Sequence, residues 1–421
     1  MGKIVRDETL EMINHTLSEI NKTLGGASSG GTVYGFHINS KAANPSDRVT
    51  YLRDAVGMIP AKMDYENDVF NYGTWGSAFF IPKPCMLKYD GKVDYYLDEN
   101  DFTKKEDGTP SDVANTSYEG NAMVEFPKIW IKIIADRNDP TSSEVYIADH
   151  KADEDFKDWC YINQEGNHVN KFYKPIYAGG EVGSKIRSLS GLHPSINRNA
   201  QTQRDYIQNN GAGWDMESYS ETILLWCLLI LMGKSTDVQS VFGNGNMDGY
   251  DVNTPPYYGM LDSGAMNAKG MFWGSNAINR GVKVFGIENY WANQYRRELG
   301  LINDHGVYKV KLAYGMEDGS LDDDYNMTGV GYIESDVLVP ASGYLKEVNF
   351  SDGTMLMQTT SGGSTTYYCD YFYSNNTQIN VCLRGGYCAY GLYCGFCFYL
   401  NNAASAAYWI IGASPSYRQL V

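Results

Sequence analysis

The chain has 421 residues, of which 43% are hydrophobic and 20% charged, long enough to bury a substantial core over two or three domains. A formal charge of −16 and a pI of about 4.8, with no basic stripe, argue against nucleic acid or an anionic membrane as partner, because phosphate binding is driven by clustered Lys and Arg. The longest apolar run, Ile223 to Met232, is too short to span a bilayer, so membrane insertion is not expected. The first residues show an amphipathic pattern rather than the apolar stretch of a signal peptide, and Sec export is not expected either.

Residues 1–24 place Leu10, Ile13, Leu17, Ile20 and Leu24 alternately three and four apart, a heptad seam. Leu at the a positions and Ile at the d positions favours more than two strands, so the segment predicts a homo-oligomer, trimer or tetramer. An amphipathic helix lying on its own globular domain fits the same pattern. GGASSGG, residues 25–31, reads as a flexible linker.

Residues 32–180 read as a β-rich spacer or as the first part of the body. TVYGFHI (32–38) and CMLKYDG (85–91) are strand-like. MVEFPKIWIKII (123–134) is the clearest strand, alternating and rich in β-branched residues with Trp130 included. The intervening DENDFTKKEDGTPSD and DRNDPTSSE are charged, turn-forming loops.

Helical signals begin near Asn199, in NAQTQRDYIQNNGAGW, with a stop at Asn210, Gly211 and Gly213. A second helix over about 218–233 is apolar on every side, which predicts burial. Beyond Gly243 the chain is rich in Gly, Asn and Tyr, with a short strand in GVYKVKLAY (306–314) and a glycine-punctuated block over 365–421. The fold class expected from this order is α+β.

Within that block Gly385 to Ile410 holds eight aromatic residues and three cysteines in 26 positions, with no charged side chain. The whole chain carries 34 Tyr and 44 Gly against 15 Phe and 6 His. Gly and Tyr suit turns and exposed strands, and Tyr is a dominant contact residue of recognition surfaces, so composition leans toward binding.

Catalytic and metal chemistry finds little support. The eight cysteines include one C-x-x-C, Cys394 and Cys397, without a second pair or nearby His, and are read as small apolar side chains. The six His are dispersed without HExxH, and GNGNMDG (243–249) lacks a following Lys-Ser/Thr. EDGSLDDDYN (317–326) lacks EF-hand spacing. No catalytic residue, no metal site and no cofactor is expected.

GLHPSINRNAQTQRDYIQNNGAGWDMESYSE, MFWGSNAINRGVKVFGIENYWANQY and LRGGYCAYGLYCGFCFYLNNAASAAYWIIGASPSYR follow one another in this chain. In that order they resemble a C-type lectin domain of the formylglycine-generating-enzyme type, and within that group the variable proteins of diversity-generating retroelements carried by gut phages. The resemblance covers 191–421 and implies a lectin domain over 181–421 with a variable region at 385–410. In such proteins an error-prone reverse transcriptase rewrites AAY codons, which yields Tyr, Cys, Phe, Ser or Ala but never Lys, Glu, Gln, Met or Trp. Between Gly385 and Ile410 there is no Lys, Glu, Gln or Met, and Trp409 alone would be a fixed position.

The resemblance implies a fixed frame of Arg384, Gly385, Gly386, Gly391, Gly395, Leu400, Asn401, Asn402, Ala403, Ser405, Trp409, Ile411 and Gly412, with Trp409 as a buried anchor. The ligand-binding, variable positions would be Tyr387, Cys388, Ala389, Tyr390, Tyr393, Tyr399, Ala406, Tyr408 and Ile410. GIENYWANQY (286–295) stands where similar proteins read G-N-V-W-E-W and is read as a core-packing turn. The function implied is a receptor-binding protein on a phage tail, hence a virion, contacting a bacterial surface protein or glycan. The alternatives are a bacterial cell-surface adhesin and a formylglycine-generating-type oxidase, whose copper-supported thiols would be sought among Cys388, Cys394 and Cys397.

Overall fold

A computed structural model describes residues 31–313, 332–396 and 398–420. The expected N-terminal helix with its oligomerisation seam, the linker apart from Gly31, the acidic segment 317–326 and Cys397 lie outside the described residues. Within them the chain is β-rich, with three larger sheets laid around one buried helix.

That helix, Tyr219–Gly233, is the one read as apolar all round, and every residue from Tyr219 to Met232 is buried. It has no polar face because strands Tyr295–Asp304 and Val49–Arg53, the short helix Val238–Phe242 and the turn Trp159–Tyr161 all pack on it. The shorter helix Ala200–Gln208 also forms where predicted. Asn199 caps it, its side chain accepting from the Thr202 N–H at 2.8 Å, as the orphan amides of a first turn require.

A four-stranded antiparallel sheet runs Val49–Arg53, Val33–Ile38, Ser143–Ala148, Trp130–Ala135. A seven-stranded sheet runs Trp214–Met216, Pro415–Arg418, Lys171–Pro175, Gly120–Pro127, Lys83–Lys88, Val93–Asp98, Asp101–Lys105. MVEFPKIWIKII is therefore two strands, not one. Pro127 lacks an N–H to continue the ladder, and the chain leaves one sheet there and enters another at Trp130.

The seven-stranded sheet joins strands between Lys83 and Pro175 to the strand Pro415–Arg418. Phe172 and Tyr173 lie opposite Arg418 and Tyr417, and Trp214 opposite Tyr417. Strands from both sides of residue 180 thus share one sheet and one core.

The third sheet positions the C-terminal block. Its order is Ile333–Leu338, Val307–Val310, Tyr295–Asp304, Ile379–Arg384, Phe398–Asn402, Tyr371–Ser374, Gly343–Tyr344, with Ile411–Gly412 paired parallel to Tyr295–Asp304. One face packs on the buried helix. The Phe398 ring lies 4.9 Å from Tyr219, and Phe396 lies 5.6 Å from Trp226. The opposite face carries tyrosines.

No helix among the described residues is long and apolar enough to cross a membrane.

Candidate binding surface

Strand alternation decides which rings face outward. In YFYS, Tyr371–Ser374, Phe372 is fully buried while Tyr371 and Tyr373 are half-exposed, the period-two pattern of a strand with one covered face. Pairing then sets rings side by side. Tyr373 lies opposite Tyr399, Tyr399 opposite Leu383, and Tyr344 opposite Tyr371, at the separation where cross-strand side chains touch.

The loop 385–396 adds to this row. Tyr371 lies 4.7 Å from Tyr373, Tyr373 5.4 Å from Tyr390, and Tyr390 4.8 Å from Tyr387. Tyr387 lies 5.9 Å from Trp409, Trp409 4.8 Å from Tyr258, and Tyr258 5.9 Å from Tyr250. At the other end Tyr393 lies 4.4 Å from Tyr371 and 6.0 Å from Tyr344. The result is an unbroken chain of partly exposed rings from Tyr344 to Tyr250, resting on the buried Tyr295, Leu383, Tyr399 and Ile411. Each such pair contributes about 0.5–1.5 kcal/mol beyond its burial, so the row is held in place without a ligand.

Burial raises the hydroxyl pKa of Tyr387, Tyr390, Tyr371 and Tyr344 above the ordinary phenol value. These phenols stay neutral at physiological pH and offer both a donor and an acceptor.

The loop's backbone is latched to older parts of the fold. Cys388 N donates to Asn293 O at 3.2 Å, Tyr250 N to Cys388 O at 3.0 Å, and Gly391 N to Met247 O at 2.9 Å. Gly385 has φ +94, and a Cβ there would stand 3.1 Å from the Trp291 Cα. Gly386 has φ +84, and a Cβ would stand 2.6 Å from the Cys394 Sγ. Both positions need glycine. GIENYWANQY supplies the other wall and is buried throughout, as a core-packing turn should be. Its Asn293 side chain holds the Leu261 N–H and carbonyl at 2.7 and 3.1 Å.

Beneath the loop lies a buried ionic network. Arg384, fully buried, pairs with Glu298 at 2.5 Å and Glu217 at 3.2 Å, and its guanidinium stacks 3.8 Å over the Tyr290 ring. Lys174 pairs with Glu217 at 2.6 Å and Glu221 at 2.8 Å, and Arg418 with Glu221 at 2.7 Å. Burial alone would raise the Glu217 carboxyl; Lys174, Arg384 and Arg296 overcome it and hold the group down to about 2.

Of the nine positions singled out, seven reach the surface in part or fully. Ala389, Tyr393 and Tyr408 are exposed, Tyr393 by 40% and Tyr408 by 54%, while Tyr387, Tyr390, Ala406 and Ile410 are half-buried. Tyr399 and Cys388 are corrections. Both are 0% exposed, Tyr399 because its strand position turns it onto Tyr295 and its hydroxyl donates to the Tyr393 carbonyl, Cys388 because Tyr250 and Tyr258 close over it. Tyr408 stands outside the ring row among the described residues, its carbonyl held by the Asn197 N–H at 3.2 Å. Trp409 is half-buried within the row, so it is not the buried anchor. Trp291 is, at 0% exposure with its indole N–H donating to Gly243 O at 3.0 Å.

Sequence reasoning missed Tyr250, Tyr258, Tyr344, Tyr371 and Tyr373. For the last two a signal existed in the alternation of DYFYS. Cys388 and Cys394 are buried free thiols. Burial pushes the Cys388 thiol up to about 12 and that of Cys394 up as well, away from the thiolate that redox chemistry uses.

No family model matches this chain. No curated protein matches it. Among solved structures it is similar to PvdO from Pseudomonas aeruginosa, with 10% identity, a TM-score of 0.31, and coverage of 71% of this chain and 95% of that one.

Proposed function

We propose that this chain is a ligand-display protein whose C-terminal surface contacts a bacterial surface protein or glycan, with a C-type lectin fold of the formylglycine-generating-enzyme type as its scaffold. The observation that carries the reading is the unbroken row of partly exposed rings from Tyr344 to Tyr250. Rigid amphipathic rings give large contact area for little rotamer entropy, the property of paratopes. Neutral phenols beside apolar ring faces suit a target met by shape and hydrogen bonding rather than by charge.

The proposal extends to diversification. The positions Tyr387, Ala389, Tyr390, Tyr393, Ala406, Tyr408 and Ile410 project from a backbone held by Gly385, Gly386 and Trp291, so replacing them leaves the latch intact. In this reading a retroelement rewrites the surface, the carrier is a phage tail or a bacterial cell surface, and residues 1–24 attach and oligomerise the chain. Several copies compensate for weak single contacts.

Sequencing the DNA beside the gene tests diversification. A near-repeat of the segment coding for 382–418, differing only at adenines, together with a reverse-transcriptase gene, is the expected finding, and a locus with neither removes it. Binding is tested on whole bacterial cells with Tyr387→Ala/Tyr390→Ala/Tyr393→Ala, which should lose capture while keeping its far-UV circular dichroism spectrum. Copper-dependent thiol oxidation by the purified protein would replace this reading with the oxidase.

A further inference from the structure

A cavity of about 420 Å³, within the size range of about 300–1,000 Å³ usual for ligand pockets, is lined by residues 191–198 with Glu181 and Tyr257. None of its lining residues belongs to the stretch 385–410. One wall is a pair of stacked rings, His193 on Tyr257, with centroids 4.2 Å apart and planes within 16°. Glu181 also lines it, gripped by Arg198 through two bonds of 3.1 and 3.0 Å and by the Ser195 hydroxyl at 2.8 Å. The Ser195 backbone is itself fixed, its N–H donating to Gly179 O at 2.7 Å and its carbonyl accepting from Gln294 at 2.8 Å. Asn197 adds an amide from a left-handed residue, φ +56.

We propose that this cavity binds a neutral pyranose sugar. Charge within it is already matched. Arg198 is paired with Glu181 and His193 with Asp262, so no lone charge in the lining calls for a charged ligand. Neutral hydroxyls need none. The Glu181 carboxylate has about four lone-pair sites and the guanidinium five N–H groups, and the bonds from the Ser195 hydroxyl and from Arg198 Nε and Nη2 leave further acceptors on one and donors on the other at fixed spacing. Such a planar pair suits adjacent hydroxyls of a sugar ring, while the His193–Tyr257 stack offers an apolar wall for its C–H face. The side chains are reachable from solvent, Arg198 being 42% and Glu181 25% exposed.

This site goes beyond the displayed surface and does not depend on it. Saturation-transfer NMR on the full chain, with methyl α-glucopyranoside, methyl β-galactopyranoside, methyl α-mannopyranoside and N-acetylglucosamine as probes and N-acetylneuraminate as the anionic control, tests it. Transfer to the ring protons of at least one neutral probe is expected. It should fall by about tenfold or more in affinity, 1.4 kcal/mol, in Tyr257→Ala and in the isosteric Glu181→Gln, and stay unchanged in Tyr387→Ala/Tyr390→Ala/Tyr393→Ala. No transfer from any neutral probe overturns the proposal, as does transfer that survives both cavity variants or N-acetylneuraminate binding as tightly as the neutral sugars. Should Tyr257→Ala unfold, Glu181→Gln alone decides. Loss of the sugar signal with cell capture intact removes only this site, and the converse removes only the displayed surface.

Discussion

Replacing Arg384 by Met isolates what holds the display loop to the body. Arg384 is the last residue of the strand Ile379–Arg384 and is fully buried. It gives up an ion pair of 2.5 Å to Glu298, one of 3.2 Å to Glu217, a bond to the Tyr290 carbonyl and its stacking on the Tyr290 ring. Deleting one partner of a buried ion pair costs about 3–5 kcal/mol, because the remaining charge stays desolvated, against a total stability of about 5–15 kcal/mol. Urea unfolding followed by tryptophan fluorescence should therefore show a large drop in midpoint. The penalty should also depend on pH. Burial, opposed by Arg384, raises the Glu298 carboxyl above its ordinary value. A raised carboxyl contributes stability that is full below about 4.3, its unfolded value, and that is lost as pH rises through the folded pKa. Without Arg384 that pKa climbs further, so the variant should suffer more at pH 8 than at pH 5, and adding Glu298→Gln should recover part of the loss. A midpoint within about 0.5 kcal/mol of wild type, the range of neutral surface changes, or a penalty that grows toward low pH, refutes the reasoning.

Two glycines of the loop should behave differently. Gly386→Ala meets Cys394 at 2.6 Å as well as φ +84, whereas Gly391→Ala has φ +56 and open space, so the first should cost more than the roughly 1–2 kcal/mol of left-handed strain expected of the second; equal urea midpoints would count against the described packing. Glu217, held down to about 2, contributes stability that is full above about 4.3 and lost as pH falls toward 2. Urea midpoints measured from pH 6 to pH 2.5 should drop, and Glu217→Gln should flatten that drop while lowering the starting stability. Burial keeps the Cys388 and Cys394 thiols protonated, so iodoacetamide at pH 8 should leave both unmodified in the native protein by mass spectrometry and label both in urea; rapid native labelling would place them at the surface.

Local pattern carried much of the fold. An all-apolar helix can only be central, and Asn199 with the Asn210–Gly213 stop bounded its neighbour, because capping and left-handed termination are decided within a few residues. The same is true of the Tyr-rich, charge-free stretch 385–410 and its glycines, whose backbone needs can be read one position at a time. What a residue faces is not local. Tyr399 and Tyr393 belong to the same stretch, yet one is sealed and the other is open, since Tyr399 lies on the strand Phe398–Asn402 under Tyr390 and Tyr295, while Tyr393 lies in the turn Gly391–Tyr393 above that strand.

The sequence by itself determined that this chain would fold around one buried helix and carry a concentrated, uncharged aromatic surface near its C-terminus, because composition, periodicity and glycine placement act over short range. Only the tertiary structure decided that residues 32–180 share a core with the C-terminus, that Trp291 rather than Trp409 is the anchor, and that Tyr250, Tyr258, Tyr344, Tyr371 and Tyr373 join the row. Those outcomes depend on which strands pair, from Tyr344 with Tyr371 to Phe172 with Arg418, and pairing is set by the burial of the whole sheet, a quantity no single segment contains.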